Sequence, residues 1–275
     1  MIEDPRKGAR RGWAVPWERL SQYLPAVTMT VLLLTVWQAA TMIWDIQKWL
    51  LPSPVQIGRA AVEARQLLGP HIWQTAKETL LGFAVALGAG TLLALAIDFS
   101  PTLRRAIYPL LVVSQTIPTI AIAPLLVIWL GYGIWPKIIV VGLVCFFPIV
   151  VSLADGLRSA DPDLIALLQS MGATRRDVFF KVRWPGAMPA FFSGVKIAIT
   201  YSVIGAIMGE WVGASRGLGI FMLRATNSFR TDWVFVAIGI IALMSIVLFL
   251  LVAALERALL PWYYTAEREE RWEEL

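Results

Sequence analysis

Six stretches of apolar residues, each ~20 long, dominate this chain, and that is the length an α-helix needs to cross ~30 Å of hydrocarbon. They run Leu24–Ile43, Thr75–Ile97, Ile107–Leu130, Pro136–Leu153, Phe191–Val212 and Trp233–Leu255. Hydrophobic residues make up 58% of the sequence and charged residues only 16%, where a soluble domain carries about a quarter charged residues. Backbone groups in lipid must find their hydrogen bonds within each segment, so the stretches are expected to be helices. The predicted fold is all-α: a polytopic membrane protein of six transmembrane helices, with residues 24–255 in the membrane domain.

Lysines and arginines predict the orientation. With both termini cytoplasmic, 16 of the 24 basic residues fall in inner segments, as expected where positive charge is retained inside. Residues 1–23 and 256–275 then form cytoplasmic ends. The basic start (Arg6, Lys7, Arg10, Arg11, Arg19) resembles that of a secretory signal, but the following apolar stretch is too long and no small-residue cleavage site follows. It reads as a retained first span. After it, Leu51-Pro-Ser-Pro54 predicts a stiff turn. A separate amphipathic helix through Val62, Ala64 and Leu67 is expected to lie at the outer interface.

The net charge of +5 suits this orientation and not nucleic-acid binding, since no dense basic tract with interleaved aromatics is present. Trp44, Trp49, Trp73, Trp211, Trp233 and Trp262 fall near span ends, as an aromatic belt would. Cys145 lies mid-span as the single cysteine, and His71 as the single histidine, so neither a disulfide nor a metal site is expected. No catalytic group is expected: an intramembrane enzyme needs a Ser/His pair, an acid pair or a metal cluster within its spans. A secondary, ion-coupled transporter is the other rival, and it would show mid-membrane coupling charges or inverted repeats.

The inner loop at 154–189 is long for a connection between membrane helices. Asp161 suits an N-cap, Pro162 the first helical position and Gly172 the C-terminal stop. Between them Leu164, Ile165, Leu167, Leu168 and Met171 make one side apolar. A second short helix is expected to open at Thr174-Arg-Arg-Asp177 and to end before Trp184-Pro185. An apolar helix on such a loop either folds back on the membrane or docks in a groove of a soluble partner, and the pattern alone leaves both open.

The spacing Gly172, nine residues, Val182, one residue, Trp184-Pro185 resembles the "EAA" loop of ABC importer permeases. The wider string ADGLRSADPDLIALLQSMGATRRDVFFKVRWPGAMPAFFSGVKIA, with IPTIAIAPLLVIWLGYG and GEWVGASRGLG, is similar to the nitrate/sulfonate/taurine-type branch. The likeness covers Thr75–Trp262. GEWVGASRGLG followed by TNSFRTDWVFVAI looks closest to the pyrimidine-precursor and riboflavin subgroup. Four positions depart from the pattern: Ala166, Leu167 and Leu168 stand where Glu-Ala-Ala is usual, and Trp184 replaces a leucine.

The resemblance implies that Asp161, Leu164, Ile165, Leu167, Leu168, Gly172 and Pro185 form the coupling element that seats in an ATPase subunit. The chain has no Gly-x-x-x-x-Gly-Lys-Ser/Thr loop, so ATP and Mg would be bound by that partner and this chain needs no cofactor. An extracytoplasmic solute-binding protein and a second permease copy, most simply an identical one, are the other partners implied. The location implied is the bacterial inner membrane.

For the translocation path the sequence offers two candidates. Gly194, Ala198, Ser202, Ala206 and Glu210 share one stripe of the fifth span, which either packs against another helix or flanks the path, with Glu210 and Trp211 near its outer end. Gln115 and Thr116 stand beside Pro118 and Pro124 in the third span, a kinked packing helix or a polar path wall. Asp98 and Asp155 are expected to be solvated at span ends, and Lys196 to reach its ammonium group to the inner surface.

Overall fold

A computed structural model describes residues 17–263 of the chain, with side chains from residue 24 onward. Within that range the secondary structure is helical, and five helices are long and apolar enough to cross a membrane. A sixth span is bent. The basic residues before Trp17, and residues 264–275 of the expected cytoplasmic C-terminal end, lie outside the described residues.

Helix α1 (Trp17–Ile43) is apolar on nearly every side, and Val27, Leu32, Leu33 and Val36 all stay exposed. Three of its hydroxyls are closed internally: Thr28, Thr30 and Thr35 each donate to the carbonyl four residues back, as lipid requires. It meets the rest of the chain near its end, where Trp37 packs on Phe235 and the Gln38 side-chain oxygen accepts from the Val55 backbone.

Helix α2 (Pro54–Phe99) is a correction to the sequence reading. It runs 46 residues without a break, roughly 69 Å at 1.5 Å per residue, and so outreaches the hydrocarbon. Ser53 and Gln56 form a reciprocal capping box at its start. No separate interfacial helix exists, because the segment continues through Pro70 into the second span. Its inward face is Ala60, Ala64 and Leu68, while Val62 and Leu67 point out at 63% and 53% exposure. The early half is a strut packed on α9 (Leu218–Asn227) and α10 (Thr231–Leu259) through Leu218, Phe221 and Val236.

The core is a three-helix unit of α2, α5 (Trp135–Arg158) and α8 (Trp184–Trp211). Small residues let these helices touch. A Cβ on Gly82 would strike Val141, and one on Gly90 would lie 3.0 Å from Ile149. A Cβ on Gly194 would lie 2.5 Å from the Pro148 carbonyl. Cys145 is fully buried here, its thiol donating to the Ala198 carbonyl at 3.2 Å.

The third span is two helices, α3 (Pro101–Ser114) and α4 (Thr119–Leu130), set at 99°. The chain breaks at residues 115–118, where Pro118 has no amide hydrogen to continue α3. Sequence reading anticipated a kink at these prolines, and the angle is larger than a kink. Helix α10 buries little beyond Val236, Ala237 and Glu256, though Leu260 just past its end is 1% exposed within the core.

Candidate functional site

Three places hold the residues singled out in the sequence, at the two ends and in the middle of the bundle.

At one end stands α6 (Pro162–Ser170). The Asp161 carboxylate accepts from the Asp163 backbone at 2.8 Å, and Pro162 opens the helix. Gly172 closes it at φ +86°, with Ala173 N–H donating to the Leu168 carbonyl and Gly172 N–H to Gln169, each at 3.0 Å. That paired closure is a Schellman cap. No residue of α6 is buried. Leu164, Leu167 and Met171 are 42%, 56% and 75% exposed, a stripe at helical spacing, while Ile165 and Leu168 turn partly inward. Ile165 helps line a cavity of about 620 Å³ between this loop and the ends of α2 and α5.

The next segment differs from expectation. Thr174 and Asp177 do cap a short helix, α7 (Arg175–Val178), but it does not end before Trp184-Pro185. A π-helical turn, Phe179–Arg183, carries it into α8, and Pro185 sits in the first turn of that helix. Trp184 packs against Phe179 and into the core. Asp98 is not solvated as expected: its side chain is 3% exposed and pairs with Arg183 at 2.6 Å. Asp155 is half exposed, 3.9 Å from Arg104. Lys196 ends on the buried Glu256 at 2.8 Å, joining α8 to α10.

At the opposite end Glu210 is fully buried. One carboxylate oxygen accepts the Thr75 hydroxyl and the other the Gly219 amide, each at 2.5 Å. The Thr75 oxygen in turn accepts from Leu218 N–H at 2.8 Å, and His71 Nδ1 lies 2.9 Å from the Gly217 nitrogen. Glu210 therefore ties α2 and α8 to the start of α9. Lys137, 4% exposed, donates to the Gly133 carbonyl at 2.7 Å close by. Trp211 is 40% exposed at the end of α8. On the surface nearby, Arg230 pairs with Asp232 and Glu63; the Asp232 carboxylate first, then Glu63, holds its guanidinium above the ordinary range.

Between the two ends lies a cavity of about 700 Å³, lined by Gln115, Thr119, Phe146, Phe147, Ser152 and Tyr201 among others. Gln115 is at the α3–α4 break and faces this space. Thr116 is exposed beside it, its hydroxyl turned to the Val113 carbonyl. Ser202 and Ala206 are fully buried against the core, and the Ser202 hydroxyl donates to Ile199 in its own helix. Tyr201 and the Phe146-Phe147 pair were missed in the sequence. Tyr201 adjoins Ser202, but a stripe of small residues hides a large neighbour one position round the helix.

Residues 86–261 match the family described as binding-protein-dependent transport system inner membrane component. The chain belongs to that family. This permease is 40% identical over 247 residues to the formylaminopyrimidine transport permease protein ThiX of Halalkalibacterium halodurans, covering 89% of this chain and 98% of that one. It is 34% identical to the riboflavin transport system permease protein RibX of Chloroflexus aurantiacus, over 87% and 89% of the two chains. With the taurine transport system permease protein TauC of Escherichia coli it shares 30% identity over 96% and 98%. The fold matches the inward-facing MetNI methionine ABC transporter, with a TM-score of 0.57 at 19% identity over 70% of this chain and 97% of that one. The chain is thus a multi-pass permease subunit of the ABC importer class.

Proposed function

We propose that this permease pairs with a second, identical copy and with two ATPase subunits to form an importer in the bacterial plasma membrane. Both termini lie in the cytoplasm, so α6 faces the ATPase and the Glu210 end faces an extracytoplasmic solute-binding protein. ATP and Mg are bound by the ATPase. The observation that carries this reading is the uncovered stripe of Leu164, Leu167 and Met171 on a helix capped firmly at both ends. A helix held this rigidly with its apolar side to water suits a groove in a partner.

The solute is a small neutral heterocycle of the formylaminopyrimidine or riboflavin kind. Two relatives carry such names. The mid-membrane cavity supports the same choice, since its described lining has aromatic rings, hydroxyls and one amide but no lysine or arginine. A sulfonate or nitrate ion would need a positive partner there, which weighs against the taurine-type alternative. Asp161, Gly172 and Pro185 shape the coupling element, and Gln115 and Tyr201 face the solute. Ser202 and Ala206 back that wall, and Glu210 with Trp211 stands at the outer gate.

The test is affinity purification of the tagged chain from its native cell in mild detergent. An ABC-type ATPase is expected to accompany it and to be lost when Leu164, Leu167 and Leu168 are all changed to Asp. A purified complex without any ATPase, in conditions where a known importer keeps its own, would overturn the proposal. The co-purifying binding protein should take up a formylaminopyrimidine and refuse taurine.

A further inference from the structure

Three helix ends meet on one guanidinium. Arg183 closes the π-helical turn that leads from α7 into α8. Its Nε and one terminal nitrogen donate to the Leu157 carbonyl at 3.1 and 3.0 Å. The same terminal nitrogen pairs with Asp98 at 2.6 Å. Leu157 is the next-to-last residue of α5, so its carbonyl is among the four that a helix leaves without an internal partner. Asp98 is the next-to-last residue of α2, and its second oxygen is buried with no partner. Arg183 therefore caps one helix and neutralises a buried acid on another while being itself the base of a third.

We infer that Arg183 is the positioning residue through which movement of the α6 loop reaches α2 and by which the ends of α5 and α8 are kept in step. This rests on the importer reading above. Since no residue of α6 is buried, what a partner does to α6 passes into the bundle along the chain on either side of it, through residues 159–161 to α5 and through residues 171–174 to the helix that follows. From Arg175 that chain is one helical run to Trp211, so a shift of α6 becomes a shift of α8 directly. Arg183 then carries the shift to α2 through Asp98 and locks the end of α5 to α8 through the Leu157 carbonyl. Phe179 backs the joint, packing on Phe99 at the end of α2 and on Trp184. One terminal nitrogen spans the carbonyl and the carboxylate, and Nε adds a second bond to the carbonyl in the same rigid plane; an ammonium group lacks the Nε bond and the plane that fixes the two partners relative to each other.

The test separates transmission from folding. Cys145 is the single cysteine and is buried, so in a Cys145→Ala background Ser215→Cys, on the exposed loop beyond Glu210, is the single thiol. Maleimide labelling of that thiol is followed in the reconstituted complex with and without ATP, Mg and vanadate. The parent is expected to change its labelling rate when nucleotide is trapped. Arg183→Lys is expected to keep its membrane level, its bound ATPase and ATP hydrolysis. Its nucleotide-linked labelling change should fall about tenfold, the size expected for losing one charged hydrogen bond. Asp98→Asn, which spares the bond to Leu157, should give a partial loss, and it serves if the lysine variant fails to assemble. A labelling response equal to the parent's in an assembled, hydrolysing variant would overturn the inference. A parent that binds no ATPase would instead overturn the importer reading.

Discussion

The carboxylate of Glu210 occupies the space that a Cβ on Gly217 would need. The loop that follows α8 is folded back over its own last turn, with the acid as the peg. Gly217 also holds φ at +136°, a region side-chain-bearing residues rarely enter.

Gly217→Ala meets both obstacles, and would evict the acid from Thr75 and Gly219. The expected loss is about 2–4 kcal/mol, seen as a lower melting temperature of the purified protein. Glu210→Gln keeps the volume but sets an amide NH2 against one of the two donors, for an expected loss of about 1–3 kcal/mol. Equal melting temperatures for parent and Gly217→Ala would contradict the packing described.

Lys196 and Glu256 invite a double-mutant cycle. Lys196→Met leaves Glu256, whose side chain is 4% exposed, as a buried acid without its cation, an expected loss of about 3–5 kcal/mol. Adding Glu256→Gln should return most of it. If both single variants melt like the parent, the pair contributes nothing.

Gly172 tests the C-terminal closure of α6 alone. A Cβ there meets nothing within 4 Å, so Gly172→Ala suffers only the left-handed backbone penalty of roughly 1–2 kcal/mol. Amide exchange across 162–173 should quicken while the spans are unchanged. Unaltered exchange would mean the closure of α6 does not depend on this glycine.

Gln115→Trp should fill the cavity between α3, α5 and α8 and abolish solute uptake, while the ATPase still co-purifies. Full uptake by that variant would remove the cavity from the path.

What the sequence made legible was local. The spans follow from apolar length, and α6 follows from three residues, Asp161, Pro162 and Gly172, whose caps need only near neighbours. The long-range partnerships were not legible. Arg183 and Asp98 are 85 positions apart, and Glu210 and Thr75 are 135 apart; nothing in either segment marks the other. The continuity of α2 was not legible either: the helix runs through Pro70, where the strut is packed on α9 and α10. The π-helical turn has no signature in FFKVR, since it arises where α7 and α8 must join in register with Leu157 and Asp98.

The right-angled bend at 115–118 has a consequence that only a lipid environment imposes. The 12 residues of α4 rise roughly 18 Å, well short of a ~30 Å hydrocarbon slab. Around a solitary subunit the bilayer would have to thin at this arm, or admit water to the bare backbone at the break. Hydrophobic mismatch of this sort is relieved when a neighbour covers the short side. The bend thus gives the membrane itself a reason to disfavour the isolated chain, so elastic strain in the lipid favours a neighbour that covers this short arm.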